Sequence, residues 1–279
     1  TGDPAKLDTA HLHVDNLDLA VASGHIRGNA DVVGLSQPKS VTFMLAASGI
    51  DFDRTLGTQP ASDAPATKGE SKDPVIPKVV KTIALDGRIV VDKGRVKGVA
   101  FSNFDGKVAL QGGRGRFETL KLDMFDGCIS ADGSTVDLSP NPPRFSLKTK
   151  FQDIHLGQLI AFQSPSLGSR FDGHGSLDIN LDGQGLSWAQ IAPQLAGQIG
   201  MAFADGKLKT SSIGGAALGQ LFQRVQGLGV AAPALTGDEI SLRNLSTNIR
   251  VTDGQLRTTS PITVSTQKGA LSVAGGIGL

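Results

Sequence analysis

The chain has 279 residues, with 27 Lys and Arg against 26 Asp and Glu and a formal net charge of +1. The length allows one large all-β unit or two ordinary domains, and the balanced charge, without a basic stripe, argues against nucleic acid as a partner. The single cysteine, Cys128, excludes an internal disulfide and the Cys-rich zinc frameworks, and the sequence contains no apolar run long enough to cross a bilayer.

The first fifty residues alternate between apolar and polar side chains. Residues 11–50 contain three such segments, HLHVDNLDLAV, HIRGNADVVGL and SVTFMLAASGI. Alternation predicts strands, because successive side chains of a strand point to opposite faces. We expect residues 1–54 to be a strand-rich N-terminal section of the same sheet as the rest of the chain.

A segment with few apolar side chains follows. Residues 55–77 hold four prolines among small polar residues. Such a composition buries too little surface to offset the entropy of ordering, so it predicts a flexible loop.

Strand patterns resume at Lys78 and continue to the end of the chain, interrupted by Asp-Gly pairs. Asp-Gly between alternating segments favours a type I′ hairpin turn, so each pair predicts a turn in an antiparallel meander. The pairs lie at 86–87, 105–106, 126–127, 132–133, 172–173, 182–183, 205–206 and 253–254.

Three short segments have helical rather than strand periodicity. Residues 153–162 carry apolar side chains at helical spacing, residues 187–195 begin with Ser187 as a candidate N-cap, and residues 211–226 carry a longer apolar stripe. These helices are too few and too short to cover a sheet of many strands.

The sequence shows no catalytic constellation. His11 and His13 would share a strand face and could bind a metal ion, but spacing indicates no third ligand, and a solvated strand face explains them better. The glycine-rich segments match neither a phosphate-binding loop nor a dinucleotide fingerprint. We therefore expect no enzymatic activity, no metal and no cofactor.

An ordered series of patterns from about Pro77 onward resembles the AsmA-like family of bacterial envelope proteins. A polar, turn-rich set of strands leads to a short helix at Ile154 to Ile160. The strand FDGHGSLDINLDGQG and the segment from Leu195 to Leu208 follow, and after a further helix the closing strands end in GGIGL. No single motif is specific, but the order of the series is.

The resemblance implies a periplasmic protein held at the inner membrane by an N-terminal helix, expected upstream of this sequence. The family is related to TamB and to bridge-like lipid-transfer proteins. It implies a long, strongly curved antiparallel sheet that forms a groove or half-barrel with an apolar concave face. The implied partners are a membrane and phospholipid or another acyl-chain lipid, and the implied role is phospholipid movement between the two membranes and outer-membrane integrity. The family has no catalytic residue to carry over.

Apolar stripes with polar neighbours are the candidate lining of that groove. They comprise Val99, Phe101, Leu120, Leu122, Phe145, Leu147, Phe151, Leu177, Ile179, Leu181, Ile199, Met201 and Phe203. Alternation alone leaves open whether these side chains face one another in a closed sandwich or line an open groove. The alternative functions are a scaffold that assists outer-membrane proteins without conducting lipid and, less favoured, a hydrolase of envelope polymers.

Overall fold

The structure is a computed structural model, and it describes residues 7–21, 24–55, 76–163, 168, 171–209, 239–242, 245–266 and 269–278. Most of the predicted loop 55–77 and all of the predicted helix 211–226 lie outside these residues.

Strands make up most of the described chain. The first nine are β1 (His11–Val21), β2 (Gly24–Val33), β3 (Ser40–Ser48), β4 (Ile50–Asp51), β5 (Ala84–Val96), β6 (Val99–Gln111), β7 (Arg114–Met124), β8 (Gly127–Ser130) and β9 (Thr135–Asp137). The others are β10 (Arg144–His155), β11 (Phe171–Gln184), β12 (Ala196–Lys209), β13 (Glu239–Leu242), β14 (Leu245–Thr252), β15 (Gln255–Thr258), β16 (Ile262–Thr266), β17 (Gly269–Val273) and β18 (Gly276–Gly278).

One 16-stranded sheet holds all of these strands except β16 and β17, which form a small sheet of their own. Its main path runs β1-β2-β3-β5-β6-β7-β8-β10-β11-β12-β14-β15-β18. The prediction of an all-β protein built on one large sheet is confirmed, and the strands of residues 11–51 belong to this sheet.

The sheet is mixed, whereas the sequence predicted an antiparallel one. β3 and β4 both pair parallel to β5. Parallel neighbours need a crossover that returns the chain to its starting side. Residues 52–83, between β4 and β5, are long enough to provide it.

Helices occupy connections between strands. Those that lie wholly within the described ranges are α1 (Phe52–Thr55), α2 (Leu156–Gln163), α3 (Trp188–Ile191) and the 3-10 helices Lys78–Lys81 and Ala192–Gln194. The helices predicted at 153–162 and 187–195 are therefore confirmed, although β10 continues to His155. Ser187 precedes α3 in an extended conformation but makes no capping hydrogen bond with its side chain.

Most Asp-Gly pairs do not form turns, which corrects the prediction. In the described residues, four tight hairpin turns have central residues with positive φ: Lys97-Gly98, Gly112-Gly113, Phe125-Asp126 and Asp253-Gly254. Only the last is an Asp-Gly pair. The pair at 132–133 also forms a turn, between β8 and β9, as predicted. Five other pairs, at 86–87, 105–106, 172–173, 182–183 and 205–206, lie inside strands.

The strand ends meet at two rims of the sheet. We call the helix-side rim the one that carries α1, the turns at 97–98 and 125–126, and α2. We call the proline-side rim the one that carries the connections 34–39, 76–83, 112–113, 138–143 and 185–195. The largest buried cluster of the described residues lies beside the helix-side rim.

Candidate functional site

The strand register sorts side chains onto two faces of the sheet. Residues directly opposite each other on neighbouring strands share a face. Ile179 of β11 pairs with Ile199 of β12, which pairs with Ile249 of β14, so three isoleucines form a row. We call the face that carries this row the apolar face and the opposite one the polar face.

All thirteen predicted groove residues lie on the apolar face when the register is followed from strand to strand. They are Val99 and Phe101 on β6, Leu120 and Leu122 on β7, Phe145, Leu147 and Phe151 on β10, Leu177, Ile179 and Leu181 on β11, and Ile199, Met201 and Phe203 on β12. Their role as a lipid-binding surface stays a prediction.

Irregular positions keep these side chains on one face where plain alternation would not. Phe101 and Phe104 are three residues apart in β6, yet both pack in the same cluster, and Asn103 between them has φ 52°. Phe151 and Ile154 in β10 behave alike, with φ 52° at Asp153. A bulge adds one residue to a strand and thereby restores the orientation of the side chains that follow.

Beside the helix-side rim, the apolar face is covered. Its buried cluster, which we call the helix-side cluster, consists of Ile50, Val91, Phe101, Met124, Phe125 and Ile154. Leu159 and Phe162 of α2 and Phe52 of α1 pack against it. The ring centroids of Phe125 and Phe162 lie 5.6 Å apart in an edge-on arrangement, and the side chain of Ile154 is completely buried.

Elsewhere on the apolar face, large side chains remain accessible, and we call this part the open section. Leu147 of β10 is 38% exposed and Phe117 of β7 is 37% exposed. Leu12 and Leu19 extend the exposed apolar surface to β1. Within the described chain, the only sheet besides the large one is the two-stranded β16–β17 unit beside β13 and β14, so the large sheet has no second sheet of comparable size to pack against.

Four phenylalanine rings on the apolar face lie over glycines of neighbouring strands. The pairs are Phe43 with Gly87, Phe101 with Gly94, Phe145 with Gly183 and Phe203 with Gly175. In each pair the residues are directly opposite, and a Cβ on the glycine would overlap the ring. Glycine inside a strand marks such a close approach, which explains why the Asp-Gly pairs at 86–87 and 182–183 are not turns.

Ion pairs between neighbouring strands follow the polar face. Arg88 donates two hydrogen bonds to the Asp105 carboxylate, of 2.9 and 2.7 Å, and Lys107 Nζ lies 2.6 Å from Glu118 Oε2. The hydrogen bond from Arg88 lowers the pKa of Asp105 below its ordinary value. This face carries charged side chains, several of them in ion pairs, so the two faces differ sharply in the ligands they suit.

The histidine side chains contact carboxylates or one another. His13 Nδ1 lies 2.5 Å from Asp31 Oδ2, and His11 contacts the same carboxylate. The sequence analysis missed the pairing of His155 with His174, whose rings are 5.3 Å apart across β10 and β11. Among the residues that the structure describes, no group of three or more His, Cys, Asp or Glu is arranged to hold a metal ion.

The structure adds residues to the apolar face that sequence reasoning did not include in the candidate site. Phe43, Val108 and Ile249 share it with the predicted residues. Phe43 lies at alternate positions with the apolar Val41 and Leu45 in VTFML, so a signal was present there. In the part of the chain that is described, no helix has the length and hydropathy to cross a bilayer.

Comparison with known proteins gives one match. The model of the AsmA family matches residues 58–260, well over half of the chain. No curated protein matches the chain, and no solved structure does.

Proposed function

The chain belongs to the AsmA family, which is associated with envelope and lipid transport in general, and from this premise we propose that it is a periplasmic lipid-binding and lipid-transfer module. It would support phospholipid movement between the inner and outer membranes and thereby the integrity of the outer membrane. In this proposal the protein is anchored to the inner membrane, its ligand is phospholipid or another acyl-chain lipid, and it carries out no enzymatic step.

The open section of the apolar face is the observation that carries the proposal. Leu147, Ile179 and Ile199 occupy adjacent strands, and β10 to β12 have no second sheet above them in the described residues. Contiguous exposed apolar surface on a soluble domain is a site for a partner or an apolar ligand. Acyl chains fit it because its side chains are aliphatic or aromatic and carry no specific polar anchor.

The free energy of burying an acyl chain favours reversible transfer over tight binding. An acyl chain gains about 0.8 kcal/mol per buried CH₂ when it leaves water. It gains a similar amount in a bilayer, so its exchange between membrane and apolar face is nearly balanced. A surface without strong polar contacts keeps this balance and lets lipid move in either direction, while the headgroup stays near water.

Bound lipid is the direct test. We expect native mass spectrometry and organic extraction of the purified chain to show co-purified phospholipid. Ile199→Asp places a carboxylate on the apolar face and should abolish lipid loading. The matched control is Gln198→Asp, which adds the same charge one residue away on the polar face, opposite Arg250.

Two results would count against the proposal. Wild-type protein without lipid, or equal lipid loss in both variants, would favour the alternative of a scaffold for outer-membrane proteins. Because Ile199 is only half-buried, the Ile199→Asp variant is expected to keep the wild-type far-ultraviolet spectrum. A variant that aggregates instead would place Ile199 in a closed core.

A further inference from the structure

The proline-side rim differs from the helix-side rim in which side chains it exposes. Four large apolar residues are exposed there: Leu35, Val79 and Trp188 in its connecting segments, and Leu7 in the segment that leads into β1. Among the described residues, the connections of the helix-side rim expose no large apolar side chain, since Phe125 and the apolar side chains of α2 are half-buried or buried.

These four residues form a line rather than a compact patch. Leu35 follows β2 and lies beside Leu7, whose carbonyl accepts the hydrogen bond of the Leu35 amide. Val79 precedes β5, and Trp188 follows β11. Neighbouring strands are about 4.8 Å apart, so the seven steps from β2 to β11 separate the ends of the line by roughly 30 Å along the rim. A line of this length fits a broad flat surface better than a pocket on a small partner.

The charge of this rim fits an anionic surface. Lys39, Lys81 and Arg144 are exposed there, and Arg114 also lies there, paired with Asp137 at 3.3 Å. Of the other carboxylates near this rim, Asp8 and Asp253 lie towards the two ends of the line, and Asp182 is exposed on β11 opposite Ala196, the first residue of β12. Between them, residues 138–143 and 183–195 carry no charge at all. An open cleft of about 860 Å³ separates these two segments and is lined by prolines and glutamines.

We propose that the proline-side rim rests on the headgroup region of an anionic phospholipid membrane, with Trp188 at the interface. Tryptophan favours that region because its ring is apolar and its N–H needs a polar partner. Trp188 is 61% exposed, so it reaches a surface without any rearrangement of α3. Lys39, Lys81 and Arg144 add electrostatic attraction to anionic headgroups, and each cation increases the affinity about fivefold.

This contact does not depend on lipid held by the apolar face. It would, however, bring the open section alongside a membrane over its full width, since the rim runs across the strands.

The chain supplies its own probe for the test. Trp188 is the only tryptophan and there is no tyrosine, so intrinsic emission reports on this position alone. Vesicles of phosphatidylethanolamine and phosphatidylglycerol should shift the emission to shorter wavelength, and brominated acyl chains should quench it. Unchanged emission in the presence of vesicles that do bind the protein would overturn the proposal, as would failure to bind.

Variants sharpen the test. In vesicle flotation, Trp188→Ala should lower the affinity about tenfold, because an aromatic side chain loses its apolar contact. Lys81→Glu should weaken binding to phosphatidylglycerol vesicles but not to pure phosphatidylcholine. Met44→Ala is the control, since Met44 is 55% exposed on the polar face. Equal loss in Met44→Ala and Trp188→Ala would contradict a specific rim contact.

Lipid loading and vesicle binding distinguish failure of the proposed function from failure of the rim contact. Ile199→Asp should lose co-purified lipid and still float with vesicles, whereas Trp188→Ala should keep its lipid and float poorly. If Ile199→Asp also ceases to float, vesicle binding runs through the apolar face and the rim contact is wrong.

Discussion

The helix-side cluster and the open section belong to one apolar face but differ in what lies above them. Ile154, next to α2, is completely buried, whereas Leu147, seven residues earlier on the same strand, is 38% exposed. Alternation in β10 places Leu147 on this face, and the bulge at Asp153 returns Ile154 to it. The difference shows that an apolar stripe becomes a core only where a second element covers it, and otherwise becomes a surface available to a ligand.

The largest expected effect is a difference in stability between alanine variants at these two positions. Ile154→Ala should lower the free energy of unfolding by about 2–5 kcal/mol, because the cavity lies in packed surroundings. Leu147→Ala removes a side chain that is already accessible and should cost about 1 kcal/mol or less. Urea unfolding of both variants measures the difference. Similar losses would mean that Leu147 is covered in solution.

The next effect concerns the phenylalanine rings that lie over glycines in the open section. Gly183→Ala should cost about 1–3 kcal/mol, because the new Cβ displaces the Phe145 ring. In a Phe145→Ala background the same change should cost little, since the ring is gone. A double-mutant cycle by urea unfolding gives the coupling. An equal cost in both backgrounds would show that ring and glycine do not depend on each other.

The smallest expected effect concerns β1, the outer strand of the open section, which pairs only with β2 in the described sheet. Hydrogen bonds to Asp31 and Asp15 raise the pKa of His13, and hydrogen bonds with His11 and His13 lower the pKa of Asp31. The contribution of His13 is complete below its ordinary pKa of about 6.5 and is lost as pH rises through the raised value. The contribution of Asp31 is lost only as pH falls through its lowered value.

Amide exchange of β1 should therefore be slowest in mildly acidic solution, after correction for the intrinsic exchange rate, and should accelerate above about pH 6.5. His13→Gln should flatten this dependence, while His155→Gln, which changes a histidine on β10, should leave it intact. A pH profile of β1 that is the same in wild type and His13→Gln would contradict the pairing.

Much of the candidate site was predictable because it depends on local periodicity. The alternation of Leu177, Ile179 and Leu181 sets both the strand and its apolar side, and neighbouring strands must place their own apolar sides on the same face. Helix α2 was predictable for the same reason, from its apolar spacing. The Asp-Gly turns were not, because glycine serves equally in a hairpin turn and beneath a ring such as Phe145, and only the opposing strand distinguishes these roles.

The sequence by itself determined that this chain forms amphipathic strands with more apolar surface than its short helices cover, since side-chain direction follows from backbone periodicity alone. Only the tertiary structure decided which stretches are covered, how β3 comes to lie parallel to β5, and where bulges at Asn103 and Asp153 keep the apolar side chains on one face. These features depend on contacts between residues far apart in the chain, and a local pattern carries no information about what packs above it.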